Sequence, residues 1–207
     1  KKELFSLYKD NIIDQYYGLK IQYLYPFISG KDFTYIPSPY LVVNAVTESM
    51  LNRVTFRDNK LRRAIGKEVI ESYLYNIVRQ LDTVTWISPE LLYKKGKDKL
   101  LTSDVIAAEG DNVIFYDTKA ITPSLKLRKF DVAEIEADIE IYAEDVIQIY
   151  NQINNYLQGC FQLDKQYLKD KIFGIVVVLE DAVVSRKKVY EKVYEILEKT
   201  ETLDTEE

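Results

Sequence analysis

A chain of 207 residues, 47% apolar and 29% charged, has room for one globular domain with a real core and is short for two, and no run approaches the ~18 consecutive apolar residues of a membrane span. With no His and a single Cys, Cys160, it lacks the parts for a His-based triad, a His/Cys zinc site, an iron–sulfur cluster or an internal disulfide, so any metal must sit on oxygen ligands, which points to Mg²⁺, Mn²⁺ or Ca²⁺. The net charge of −5 argues against a surface that is basic throughout, yet basic residues cluster at Arg62-Arg63, Lys94 to Lys99 and Lys126 to Lys129.

The chain starts Lys1-Lys2-Glu3-Leu4-Phe5, with neither an apolar signal core nor an initiating Met. That reads as a cytoplasmic protein, or a fragment of one trimmed at its front. Residues 1–60 read as an added helical segment packed on the core that follows, with a turn-rich interruption from Pro26 to Pro39. Ser38-Pro39 is a helix start, Ser capping and Pro at the first helical position.

From residue 61 to 207 the order is more informative. Lys60 to Leu81 is predicted as an amphipathic helix with Ile70, Leu74, Ile77 and Leu81 on one side. Thr83 to Ile87 is strand-like, and Glu90 to Tyr93 extends it or pairs with it. Leu100 to Ala107 and Asn112 to Ala120 read as two strands of a hairpin. A long helix is predicted from Val132 to Leu157. Ile172 to Leu179 is a β-branched run of the kind found in strands buried on both faces, and a charged helix runs from Ser185 to Lys199. The succession of helix, three strands, helix and strand predicts an α/β fold, a mixed central sheet flanked by helices.

The hairpin carries the chemistry. Gly110-Asp111 suits a two-residue turn, which pairs Glu109 with Asn112. Counting outward places Ile106 opposite Phe115, Asp104 opposite Asp117 and Thr102 opposite Lys119. Side chains alternate, so Val113, Phe115, Asp117 and Lys119 share a face. Two carboxylates opposed on a half-buried sheet are costly unless a cation lies between them, and Lys119 relieves only part of that cost. On the preceding helix Glu71 projects beside Leu74 and Val78 and can reach the sheet edge, with Glu68 the second choice.

These residues resemble the PD-(D/E)XK nucleases, the superfamily of many restriction endonucleases and RecB-type exonucleases. Ser103-Asp104 stands where that family has Pro-Asp or a bare Asp, and Asp117-Thr118-Lys119 stands for its Asp/Glu-x-Lys element. Glu71 resembles its helical acid, and Gln152-Ile153-Asn154-Asn155-Tyr156 matches the Gln-x-x-x-Tyr signature of the RecB-type branch. The resemblance spans about residues 61–180 and implies a restriction-endonuclease-like core. It also implies Mg²⁺ or Mn²⁺ on Asp104, Asp117, the Thr118 carbonyl and Glu71, with Lys119 and Gln152 completing the catalytic set. The implied partner is nucleic acid, DNA before RNA because most such relatives cut DNA. Lys126, Arg128 and Lys129 are candidates to grip backbone phosphates, with Tyr156 as a further contact. A homodimer or larger complex is compatible with this reading. The competing expectation is a nuclease-fold domain that no longer cuts and serves as a nucleic-acid-binding or assembly module.

Overall fold

The computed structural model describes residues 27–36, 38–46, 50–55, 59–120, 132–179 and 184–204. Residues 1–26, and the predicted phosphate contacts Lys126, Arg128 and Lys129, lie outside them. The turn-rich stretch before Pro39 holds a small hairpin, β1 (Ile28–Ser29) with β2 (Thr34–Tyr35). Helices α1 (Pro39–Val46), α2 (Met50–Thr55) and α3 (Asn59–Ile65) follow. The expected boundary between residues 60 and 61 therefore falls inside a helix, and Arg62 Nε donates to Thr55 Oγ1 across it at 3.1 Å.

The helix expected from Lys60 to Leu81 is not uniform. A π-helical stretch, Gly66–Glu71, separates α3 from α4 (Ser72–Arg79). Its wider turn rotates the inward face by about one residue. Val78 is buried at 3% exposure, whereas the predicted Ile77 and Leu81 are 42% and 49% exposed. Glu71, the last residue of the wide turn, joins Leu74 and Val78 on the inward series.

Four strands form the main sheet in the order β3 (Trp86–Pro89), β6 (Val105–Glu109), β7 (Asn112–Lys119), β8 (Ile172–Val178). The first two junctions are antiparallel and β7–β8 is parallel, so the sheet is mixed. A parallel neighbour demands a crossover, and α5 (Val132–Leu157) lies between β7 and β8 in the chain and packs against both. The π-helical stretch touches β7 and α4 touches β6. The result is an α/β domain with its sheet flanked by helices.

The central core gathers Ile106, Ala108, Val113, Phe115, Ile149, Tyr156 and Tyr167 between the sheet and α5. A second cluster, Tyr142, Ala143, Val189 and Val193, joins α5 to α6 (Arg186–Asp204). Among the described residues no helix is long and apolar enough to cross a membrane.

Three strand expectations are corrected. Glu90 to Tyr93 neither extends nor pairs with β3: β4 (Leu92–Lys95) pairs with β5 (Asp98–Leu101) in a separate two-stranded hairpin. The predicted strand from Leu100 to Ala107 is accordingly broken, its first residues belonging to β5 and its last to β6. The third correction is β8, which among the described residues is the sheet edge and not a strand buried on both faces, with Phe173 48% and Ile175 41% exposed. A β-branched run reports a preference for the pleated state and is silent on strand order.

Candidate active site

Gly110, with φ +56°, sits in the left-handed region that a tight hairpin turn requires, and it sets the register of everything beyond it. Glu109 pairs with Asn112 and Ile106 with Phe115, as the turn predicts. The ladder ends at Val105–Tyr116, one step short of Asp104 and Asp117. Asp104 bends out of the strand there, and its Oδ2 accepts from the Thr118 backbone N–H at 2.6 Å and the Thr118 hydroxyl at 2.7 Å. Thr102 does not stand opposite Lys119. It closes the base of the β4–β5 hairpin, its N–H donating to Leu91 O at 2.9 Å and its Oγ1 accepting from Leu91 N at 2.8 Å.

Val113, Phe115 and Asp117 point inward together, at 0%, 0% and 3% exposure. Lys119 shares their face, and its Nζ lies 2.8 Å from Asp117 Oδ2 and 3.1 Å from Asp145 Oδ1. It also donates to Gln148 Oε1 at 2.9 Å. Asp145, on α5, was not singled out from sequence. Its signal was its spacing, three residues before Gln148 and seven before Gln152, which puts all three on one helix face. Gln152 is buried and accepts from Ser103 Oγ, so it holds the residue next to Asp104 and not the ammonium.

Tyr156 is corrected outright as a nucleic-acid contact. It is 7% exposed in the core, with its ring 6.1 Å from that of Phe115, and its hydroxyl accepts from Tyr167 N at 2.9 Å. A ring buried there has no free face for a base.

The charges do not balance locally. Two buried carboxylates, Asp117 and Asp145, share the Lys119 ammonium. Burial pushes both acids above the usual carboxylate range, against the pull of Lys119, and Asp104 adds to the effect on Asp117. For Lys119 burial acts downward, but the hydrogen bond and charge of Asp117, with the charge of Asp145, outweigh it and keep the ammonium protonated. Asp145 Oδ2 is buried with no hydrogen-bond partner among the described residues.

Glu71 reports the same surplus from the other side. Burial, then Asp104 and Glu90, with a smaller push from Asp117, raise its carboxyl to about 7, and Lys67 opposes them. Glu71, Glu90 and Asp104 line a cavity of about 380 Å³ with Lys67, Tyr75 and Asn76. Lys67 Nζ lies 3.6 Å from Glu90 Oε2. Glu68 is exposed and takes no part in this cluster, so Glu71 is the helix acid that reaches it. Hard carboxylate oxygens in surplus suit a divalent cation in chemistry. In spacing they do not yet enclose one: among the described residues no three acidic side chains stand close enough to hold a metal ion.

No family model matches the chain, and no solved structure matches it. It is 26% identical over 134 residues to a protein described as a probable DNA-directed RNA polymerase from Gelasinospora sp. (strain G114). That alignment covers 65% of this chain and 15% of the polymerase, so the chain spans a small part of that relative's length.

Proposed function

We propose that this chain hydrolyses phosphodiester bonds in nucleic acid, DNA in the first instance, at the cluster of Glu71, Asp104, Asp117 and Lys119. The observation that carries the reading is the gathering of charge just beyond the β6–β7 ladder, where Asp104 raises the carboxyls of both Asp117 and Glu71 and Lys119 pairs with Asp117. The resemblance to PD-(D/E)XK nucleases gives that arrangement its expected chemistry, and the mixed sheet flanked by helices is compatible with a restriction-endonuclease-like core.

Glu71, Asp104 and Asp117 would hold Mg²⁺ or Mn²⁺. The ion, when bound, supplies an activated water and offsets charge gathering on the phosphate. Lys119 stays protonated between Asp117 and Asp145, which makes it a fixed positive charge aimed at the site and not a proton acceptor. Thr118 fixes one oxygen of Asp104 through its N–H and hydroxyl, leaving the other for a ligand. Gln152 anchors Ser103 and thereby the bend that presents Asp104. The match to part of a polymerase weighs neither for nor against cleavage.

The second reading, a silent nuclease-fold module, draws on one specific observation. Lys119 is engaged by Asp117, Asp145 and Gln148, Asp104 by Thr118, and among the described residues no acidic trio encloses an ion as the side chains stand. The two readings separate in one assay. Asp104→Ala, Asp117→Ala and Lys119→Ala should each abolish Mg²⁺-dependent cleavage of labelled DNA while keeping a native circular-dichroism spectrum. Equal cleavage by all three, or none by the wild type in Mg²⁺ or Mn²⁺, removes the catalytic proposal.

A further inference from the structure

We infer that the β4–β5 hairpin grips the sugar–phosphate backbone of the nucleic-acid strand bound at the acidic cavity, through Lys94, Lys97 and Lys99. This rests on the proposed function for the identity of the ligand, and on the hairpin itself for everything else.

The first ground is position. The hairpin leaves the chain after Glu90-Leu91 and returns at Thr102-Ser103-Asp104, and Glu90 and Asp104 both line the cavity. The reciprocal Leu91–Thr102 bonds, at 2.8 and 2.9 Å, clamp its base at that rim. Strands of this length project on the order of 10 Å, which matches about three phosphates along one strand.

The second ground is how its two faces are used. The inner face is anchored: Tyr93 is 7% exposed, with its ring 4.8 Å from Phe161, and its hydroxyl accepts from Asn155 Nδ2 at 2.8 Å. Lys95 lies opposite Asp98, and its Nζ donates to Asn155 Oδ1 at 2.8 Å. The outer face places Lys94 directly opposite Lys99, and Gly96, at φ +61°, turns the chain so that Lys97 stands at the tip. All three lysines are exposed, and none has an ion pair among the described residues. Like charges directly opposed across two strands weaken a hairpin, and an anion between them removes the strain.

The third ground is the cavity's own charge. Its acids repel a phosphate, and the cations beside them are committed, Lys67 to Glu90 and Lys119 to Asp117 and Asp145. Affinity for a polyanion has to come from outside that cluster, and the hairpin supplies it at the rim. Leu92 and Leu101, 66% and 46% exposed, share the lysine face, so an anionic bilayer is the rival ligand to be tested.

The test is fluorescence anisotropy of a fluorescein-labelled 20-mer with the whole chain in EDTA, from 50 to 200 mM NaCl. The triple variant Lys94→Gln/Lys97→Gln/Lys99→Gln should bind at least tenfold more weakly, and its log–log salt slope should fall by about 2–3, at ~0.7–0.9 per phosphate contact. Lys→Arg at the same positions should restore both, and an unchanged melting temperature shows that the fold is intact. Wild-type affinity and slope in the triple variant overturn the inference. So does binding to phosphatidylserine vesicles, lost in the triple variant, by a protein that does not bind the oligonucleotide. Cleavage in Mg²⁺ is read separately. Hairpin-dependent binding without cleavage sinks the catalytic proposal and supports this inference, whereas cleavage with hairpin-independent binding does the reverse.

Discussion

Glu71→Gln isolates the charge surplus that the site is argued to hold. Glu71 titrates near 7, against an ordinary 4.5, because burial and the Asp104 and Glu90 carboxylates oppose its ionisation. The native state therefore keeps this proton when the unfolded chain has lost it. Between pH 4.5 and about 7 the native state binds more protons than the unfolded one, so stability falls as pH rises and stays reduced above that window. Full burial would make the difference ~3.4 kcal/mol. Glu71 is partly solvated, and screening reduces it to roughly 1–2 kcal/mol. A neutral Gln abolishes the penalty. The variant should melt about 2–8 °C above wild type at pH 8 and level with it at pH 4.5, with the gap opening through the window. Differential scanning calorimetry of both proteins across that range reads it directly. A gap that does not change with pH, or a variant less stable than wild type at pH 8, refutes the reasoning.

Other expectations follow from the same geometry. Asp145→Asn removes a charge that raises Lys119, so the alkaline limb of the cleavage–pH profile should move to lower pH; an unmoved limb would show that Asp145 does not act through Lys119. Phe115→Ala, at a fully buried core position, should cost about 3–5 kcal/mol in urea unfolding. Gly174→Ala should be destabilising too, because a Cβ there runs into Ile149 Cγ2 and must displace α5 or β8. Gly110→Val should lose about 1–2 kcal/mol through its positive φ alone, as its side chain would meet open space, and Gly110→Asn should lose less.

What was legible in the sequence was what local rules decide. A Gly-Asp pair between two β-like runs fixed a register, and the register put Phe115, Asp117 and Lys119 on one face. The 3.6-residue period of α5 carried through its whole length, so its limits came out at Val132 and Leu157 as expected. Features set by tertiary context were not legible. The β4–β5 hairpin has six polar or glycine residues in a row, Lys94 to Lys99, and so lacks the alternation by which strands are read. The π-helical turn shifted the inward face of a helix whose composition gives no sign of it, which promoted Glu71 from flank to face. Asp145 sits in a helix with five other acidic residues, and only its contact with Lys119, from a distant strand, separates it from a solvated carboxylate.

The claim at the centre of this account is that Glu71, Asp104 and Asp117 hold a divalent cation. Crystals soaked in Mn²⁺ and measured at the manganese absorption edge test it without reliance on activity. An anomalous peak in contact with Asp104 and Asp117 is the predicted result. Empty density there at millimolar Mn²⁺, or a peak bound only to other carboxylates, would contradict it.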